Sequence, residues 1–547
     1  MKTKFFLLIV FILALVLRLW SLNNFPAGLN ADEAAIGYNA YSLLKTGKDE
    51  FGHLWPINFQ SFNDYKPGLY FYLVLPSVAI FGLNEWAVRF PSAILGTLTV
   101  VLVYFLAKQL FEKEKNNSLL ALITVFLLAI SPWHLHFSRG GWETNAATFF
   151  LVLGVYLFFL SFKKGIFLSL SAVSFVLSML TYHSARVVAP LLVLGLVIFF
   201  RKNVFSLVNR KSLITAIFIG GIPFVILLLS MRGQAGVSRF AGVGIFADKG
   251  PLWRTNELRG QHSNPSSFFV KVIHNQYLEY GIQFLNNYLK HFSGNFLFIS
   301  GDEIQRNKVP GMGQFLLAEI PFLVLGLFFL IKRKPIGWNV ILYWLFVAPV
   351  ASALTFQAPN AIRSLNMVVP LIIIMGYGLY RGFEWLKIRI PLVLYKSTII
   401  FVILTLAWNF SYYLHQYYVH YPQVYPSAWE DGFRDLGKYL SLNQDKYGKI
   451  YITGKYDQPY ILLAFFLKYP PNVFQKEAIL TPRDQYGFST VTQFGKYYFG
   501  EFDWAKIKVE PNALIVGTPE EIPNSAKIVE RIYFKDGKTE AFRIAED

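Results

Sequence analysis

The sequence predicts a polytopic α-helical membrane protein of about eleven transmembrane helices plus interfacial helices, followed by a small external C-terminal α/β domain. Three observations predict it. The 547-residue chain is 54% hydrophobic and holds 53 Phe, 31 Tyr and 12 Trp, which supplies many apolar runs near the length of a bilayer crossing. Basic clusters punctuate those runs. After about residue 415 the long runs stop and short alternating segments replace them. The net charge of +18 lies largely between apolar runs, which fits membrane topology and contact with anionic headgroups, not nucleic acid. Cysteine is absent, so disulfide and thiol chemistry are excluded.

Taken in order, Met1-Lys2-Thr3-Lys4 and the apolar run behind it have the n-region and h-region of a signal sequence, but Arg18-Leu19-Trp20 closes the run in place of a small-residue cleavage site. The expectation is an uncleaved anchor with its N-terminus in the cytoplasm. Basic clusters at 108–115, 163–164, 201–211, 332–334 and 381–389 are cytoplasmic by the positive-inside rule. They fit spans near 5–21, 88–107, 117–133, 145–162, 166–182, 187–200, 212–230, 314–331, 337–355, 364–380 and 391–412. Leu69–Leu83 is short, contains Pro76, and as a crossing would move every basic cluster outside, so it reads as an interfacial or re-entrant helix. The external side then holds 21–87, 134–145, 232–313, 357–363 and the chain after about 413. The domains expected are a transmembrane part over 1–414 and an extracytoplasmic α/β part over 415–547, in the plasma membrane. In the latter, Lys449–Thr453 and Ala513–Gly517 read as strands, Gln458–Tyr469 as a helix, and Ile532–Phe542 as a hairpin around Asp536-Gly537.

Unusual polar residues collect on the external side. Asn30 suits an N-cap with Glu33 three residues on, which places Asp32 and Glu33 in the first turn of a helix, where its dipole favours carboxylates. They read equally as ordinary first-turn acids or as working groups, for carboxylates at a bilayer edge are costly. Lys66 opens the interfacial helix and Arg89 the second span; each suits a lipid phosphate, or simple snorkelling. The turn His134–Asn145 carries Trp142 and Glu143; His134 and His136 are a weak metal signal. Tyr182-His183-Ser184-Ala185-Arg186 and Pro359–Ser364 bring Arg186 and Arg363 to the external face. The loop 232–313 reads as a mobile roof, with Gly233, Gly236, Gly242 and Gly244, and Trp253, His262 and Tyr277 suited to a sugar ring; a packed lid fits equally. No nucleotide-binding motif appears.

Asp32-Glu33, Asp64-Tyr65-Lys66-Pro67 and Asn84-Glu85-Trp86-Ala87-Val88-Arg89-Phe90-Pro91-Ser92 together resemble the GT-C superfamily of membrane glycosyltransferases. The branch most resembled is that of protein O-mannosyltransferases and aminoarabinose transferases, glycosyltransferase families 39 and 83. The resemblance implies a GT-C fold and an inverting transfer of a hexose or pentose from a polyprenyl-phosphate sugar to a hydroxyl acceptor (lipid, glycan or protein) at the external face. It implies Asp32, Glu33 and Glu143 as catalytic acids, and Lys66 and Arg89 near donor phosphate; Arg186 and Arg363, brought to the same face, are further candidates for that phosphate. Tyr38, Tyr65, Trp142 and His183 are the expected substrate contacts. Tyr65 and Ala35 stand where aminoarabinose transferases tend to have an acid and an Arg, so no metal ligand is assigned and a divalent ion is left open. The C-terminal part does not resemble the β-trefoil of the eukaryotic mannosyltransferases. Rival classes are a flippase for lipid-linked saccharides, an oligosaccharide polymerase or ligase with a diphosphate-linked donor, and a noncatalytic membrane scaffold.

Overall fold

The computed structural model describes residues 2–62, 64–230, 242–482, 489–507 and 510–546. Gly233 and Gly236 of the expected roof lie outside them. A helix lies over each expected span. Five are long and apolar enough to cross a membrane, namely Glu85–Leu110, Glu143–Ser161, Arg210–Leu229, Leu365–Lys387 and Leu392–Val424, and the count reaches 7 if two bent pairs are each one span. Ile166–Thr181 and Trp338–Ala353 are apolar but shorter; at about 1.5 Å per residue they fall short of a hydrocarbon core of about 30 Å. Lys2–Leu19 carries basic residues at both ends. Leu69–Phe81 has 13 residues with Pro76 inside, roughly 20 Å of helix by the same rise.

The chain forms two compact units, one of residues 1–11, 99–134 and 147–410, the other of 12–98, 135–146 and 411–547. The named elements of the first among the described residues are all helices. Its central helix, Val368–Lys387, is almost wholly buried. It approaches Ile320–Arg333 closely because Gly326 and Gly378 face one another's helix: a Cβ on either would overlap backbone oxygens of the other. At one end of this helix Arg381 pairs with Glu114, which also accepts from Tyr377 Oη at 3.0 Å. The described part of the expected roof is helical rather than a glycine-rich coil, with helices at Gly250–Gly260, Phe268–Ile273 and Gln276–Lys290. Trp253 and Tyr277 on it are exposed.

The second unit joins the segment after the first helix to the C-terminal α/β part. Its seven-stranded sheet runs in the order Ile479–Leu480, Val491–Phe494, Tyr497–Gly500, Lys449–Thr453, Ala513–Gly517, Glu540–Glu546, Lys527–Tyr533. Lys449–Thr453 pairs parallel on both sides and the other pairings are antiparallel. Ala513–Gly517 is buried on both faces, whereas the edge strand Lys527–Tyr533 is charged along its length, as an unpaired edge needs to be to stay single. The hairpin expected at Asp536-Gly537 is present, with Gly537 in the left-handed region at φ 68°. Helix Pro459–Phe466 and this sheet share one core with Ala31–Thr46: Ala34, Ala35, Ile36 and Tyr38 are buried together with Ile452, Leu462, Phe465 and Val516. Gly37 makes room for Phe465, since a Cβ there would overlap its ring.

Candidate active site

The site begins at the N-terminus of helix Ala31–Thr46. Asn30 caps it: its backbone is extended, and its side chain accepts from Glu33 N at 3.1 Å. Glu33 answers through its carboxylate, which accepts from Asn30 Nδ2 at 3.3 Å. Successive residues of a helix point about 100° apart, so the two acids of this turn diverge.

Glu33 points inward. It meets Arg89 in a two-pronged pair, Nε to Oε1 at 2.8 Å and Nη2 to Oε2 at 2.9 Å, and accepts from Gly141 N at 2.7 Å. Both side chains are fully buried. The remaining N–H groups of Arg89 go to the carbonyls of Leu22 at 3.1 Å, Pro26 at 3.2 Å and Gly28. All five guanidinium donors are thus occupied. The Trp429 ring covers the guanidinium at 5.7 Å.

Asp32 points outward. Its side chain is 39% exposed and pairs with Lys66 Nζ, whose side chain is 9% exposed. Lys66 is delivered by a two-stranded ribbon, Asn58–Ser61 against Asp64–Pro67, in which it stands opposite Phe59. Its ammonium also lies 5.1 Å from the centre of the Phe62 ring. Sequence reasoning missed this ribbon, although alternation across four-residue segments is its only signal.

Glu143 is buried at the start of helix Glu143–Ser161. Its charge and that of Glu33 both act on the buried Tyr70 hydroxyl, which donates to Val88 O at 3.1 Å. Trp142 is buried against Phe137 and Trp429. Tyr38 is buried with its hydroxyl given to Tyr469 O at 3.0 Å, and Tyr65 stands half-buried on the ribbon opposite Gln60. The other expected residues lie in the first unit. Arg186 donates to Met179 O at 3.3 Å with His183 Nδ1 at 3.5 Å, and Arg363 donates to Thr355 Oγ1 at 2.8 Å and Gln357 O at 3.2 Å.

One further acid belongs to this surround. Glu50 is buried, with Oε1 accepting from Asn39 Nδ2 at 3.1 Å and its own N–H given to Asn39 Oδ1 at 2.9 Å. Burial pushes its carboxyl up to about 8, against the Asn39 hydrogen bond and the Lys66 charge. In the sequence it is the last of Lys48-Asp49-Glu50, which reads as a solvated run. As for metal, no three His, Asp or Glu side chains gather among the described residues, and the His136 ring is packed among Phe137, Tyr417, Tyr421 and Trp429. These side chains do not make a metal site.

Residues 65–228 match the family described as dolichyl-phosphate-mannose-protein mannosyltransferase. An uncharacterized protein of Aquifex aeolicus (strain VF5) is 32% identical over 192 residues, 35% of this chain and 36% of the relative. A protein of Bacillus subtilis (strain 168) provisionally named mannosyltransferase YkcB is 27% identical over 28% of this chain and 22% of its own. The chain therefore spans well under half the length of these curated relatives. Among solved structures, apo ArnT from Cupriavidus metallidurans superposes with a TM-score of 0.56 at 11% identity, over 100% of this chain and 98% of ArnT. The oligosaccharyltransferase AglB from Archaeoglobus fulgidus does so with a TM-score of 0.52 at 13% identity, over 85% of this chain and 63% of AglB. The chain has the GT-C fold. Lys66 and Arg89 fall inside the matched family stretch, and Asp32 and Glu33 precede it.

Proposed function

We propose that this chain is an inverting glycosyltransferase that moves a sugar from a polyprenyl-phosphate carrier to a hydroxyl acceptor at the external face of the membrane. The observation that carries the reading is the half-open Asp32–Lys66 pair, set beside a second pair that is closed. Support for the donor class comes from the fold's neighbours: one ArnT structure is bound to undecaprenyl phosphate and one AglB complex holds a dolichol-phosphate. Mannose, named in the matched family description, is the first sugar to test.

In the reaction, Lys66 turns from Asp32 toward the donor phosphate, as an ammonium point charge on a flexible stem can. Asp32 is then free to accept the proton of the acceptor hydroxyl. The acceptor oxygen forms its bond to the anomeric carbon while the bond from that carbon to the phosphate oxygen breaks, and configuration inverts. The electron pair leaves with the polyprenyl phosphate, whose charge Lys66 stabilises. Glu143 orients sugar or acceptor. Glu33 and Arg89, saturated by one another and by backbone, brace the turn that bears Asp32. The reading keeps about eleven spans, a cytoplasmic N-terminus, a transmembrane part over 1–414 and an extracytoplasmic part over 415–547 in the plasma membrane.

The test is sugar transfer by purified protein from a panel of radiolabelled polyprenyl-phosphate sugars, wild type against Asp32→Asn. Transfer or slow donor hydrolysis lost in the variant supports the reading. Donor binding without turnover in both proteins, or lipid scrambling that persists in Asp32→Asn, overturns it in favour of transport or a diphosphate-linked donor.

A further inference from the structure

The segment before Asn30 has little regular structure, so its backbone oxygens must find partners elsewhere. They find basic side chains, without a gap. The carbonyls of Leu22, Pro26 and Gly28 accept from Arg89, that of Asn23 from Arg434 at 2.8 Å, those of Asn24 and Ala27 from Lys535 at 3.2 and 2.8 Å, and that of Phe25 from Arg139 at 3.2 Å. Every carbonyl from Leu22 to Gly28 is therefore held by a cation, and charge-assisted hydrogen bonds are the strong ones. Two of the four cations come from the C-terminal part of the chain.

The same part supplies a floor. Gly28 packs directly on the backbone of Trp429–Asp431, where a Cβ would overlap Trp429 O and crowd Asp431 N. Trp429 is buried over Arg89, and its Nε1 donates to Tyr421 Oη at 2.6 Å. Lys535, on the hairpin loop, is itself fixed by its N–H to Asp431 Oδ2 at 2.8 Å. Arg434 is fixed by Glu85 at 2.7 Å. Asp32 lies four residues beyond Gly28, and rigid connection over so short a stretch transmits position.

We infer that Lys535 and Trp429 are positioning residues of the active site, the C-terminal α/β part gripping residues 22–28 so that Asp32 starts its helix in one place. This rests on the reading of Asp32 as the proton acceptor. The C-terminal part then serves the reaction whatever acceptor it also meets, and is neither a detachable module nor a passive cap.

The experiment is hydrogen exchange and kinetics on the full-length protein in detergent, wild type against Lys535→Met, with Lys535→Arg as the conservative variant. In Lys535→Met, amides of residues 24–33 exchange at least about tenfold faster while strands Lys449–Thr453 and Ala513–Gly517 keep their protection. Turnover falls about 10- to 100-fold, the scale of a misplaced catalytic group, with the donor KM unchanged, and Lys535→Arg recovers most of it. Gly28→Ala, which lifts the same segment off Trp429–Asp431, gives the same local signature should Lys535→Met fail to fold. Unchanged exchange at 24–33, or loss of protection spread evenly over the sheet in both variants, overturns the inference. If wild type transfers no sugar from any donor, the glycosyltransferase reading fails, while the exchange result still decides whether the grip exists.

Discussion

Two ion pairs leave the same helical turn. Glu33 and Arg89 are both at 0% side-chain exposure, while Asp32 keeps 39% and Lys66 9%. In the first pair every guanidinium donor is used and both carboxylate oxygens are bound; separating it strands charge in a dry interior. In the second, Asp32 faces outward, and the move of Lys66 to another anion costs less, because the carboxylate it leaves is more than a third exposed and screened by solvent. Adjacent acids with similar chemistry are thus divided by direction alone: the inward one is sealed among donors and the outward one stays open to solvent.

The sharpest test of this division is Asp32→Asn. It lowers transfer by about 10²- to 10⁴-fold, the worth of a general base, with the thermal unfolding temperature nearly unchanged; initial rates and a melting curve on one preparation check both halves. Next comes Arg89→Ala, which costs about 3–5 kcal/mol of stability by orphaning a buried carboxylate, and Arg89→Lys does not restore it, lacking the two-pronged geometry. Detergent-solubilised melting reads this directly. A stable Arg89→Ala that had lost only donor binding would break the comparison and return Arg89 to the phosphate. Lys66→Met weakens donor binding and turnover yet costs under about 1 kcal/mol of stability; a stability loss matching that of Arg89→Ala would merge the two pairs into one.

Glu50 sharpens the comparison through pH. Its folded carboxyl stands at about 8, above the ordinary 4.5, so between those values the folded chain holds a proton that the unfolded chain releases. Its contribution to stability is complete below about 4.5 and declines as pH rises toward about 8, and Glu50→Gln removes that decline. Melting temperatures across this window compare the slopes. The smallest effect belongs to Tyr38→Phe, which gives up one hydrogen bond to Tyr469 O and about 1 kcal/mol. Turnover per folded molecule stays the same; a selective rise in donor KM would show that Tyr38 touches substrate after all.

Local signals carried much of this into view from the sequence. Asn30 and Glu33 at cap spacing located the helix start, Pro76 in a short apolar run marked a helix of 13 residues, and alternation with Asp536-Gly537 located the hairpin. What stayed hidden depends on long-range partners. Nothing in Asp32-Glu33 tells which acid turns inward, because that is decided by Arg89 and Gly141, 56 and 108 residues away. Glu50 looks solvated beside Lys48 and Asp49 until Asn39 closes over it. Trp429 and Lys535 carry no motif, and their partners are backbone oxygens, which every sequence has.

Lys535 meets Ala27 across 508 residues. Protein synthesis at about 5–20 residues per second therefore leaves the Asp32 helix in place for about 25 to 100 s before the residue that secures its leading segment has been made. During that interval a nascent chain already threaded into the bilayer is without its last fastening, and a truncated product stays so permanently. Synthesis of Lys535 is thereby the event that supplies the carbonyls of Asn24 and Ala27 with their cation.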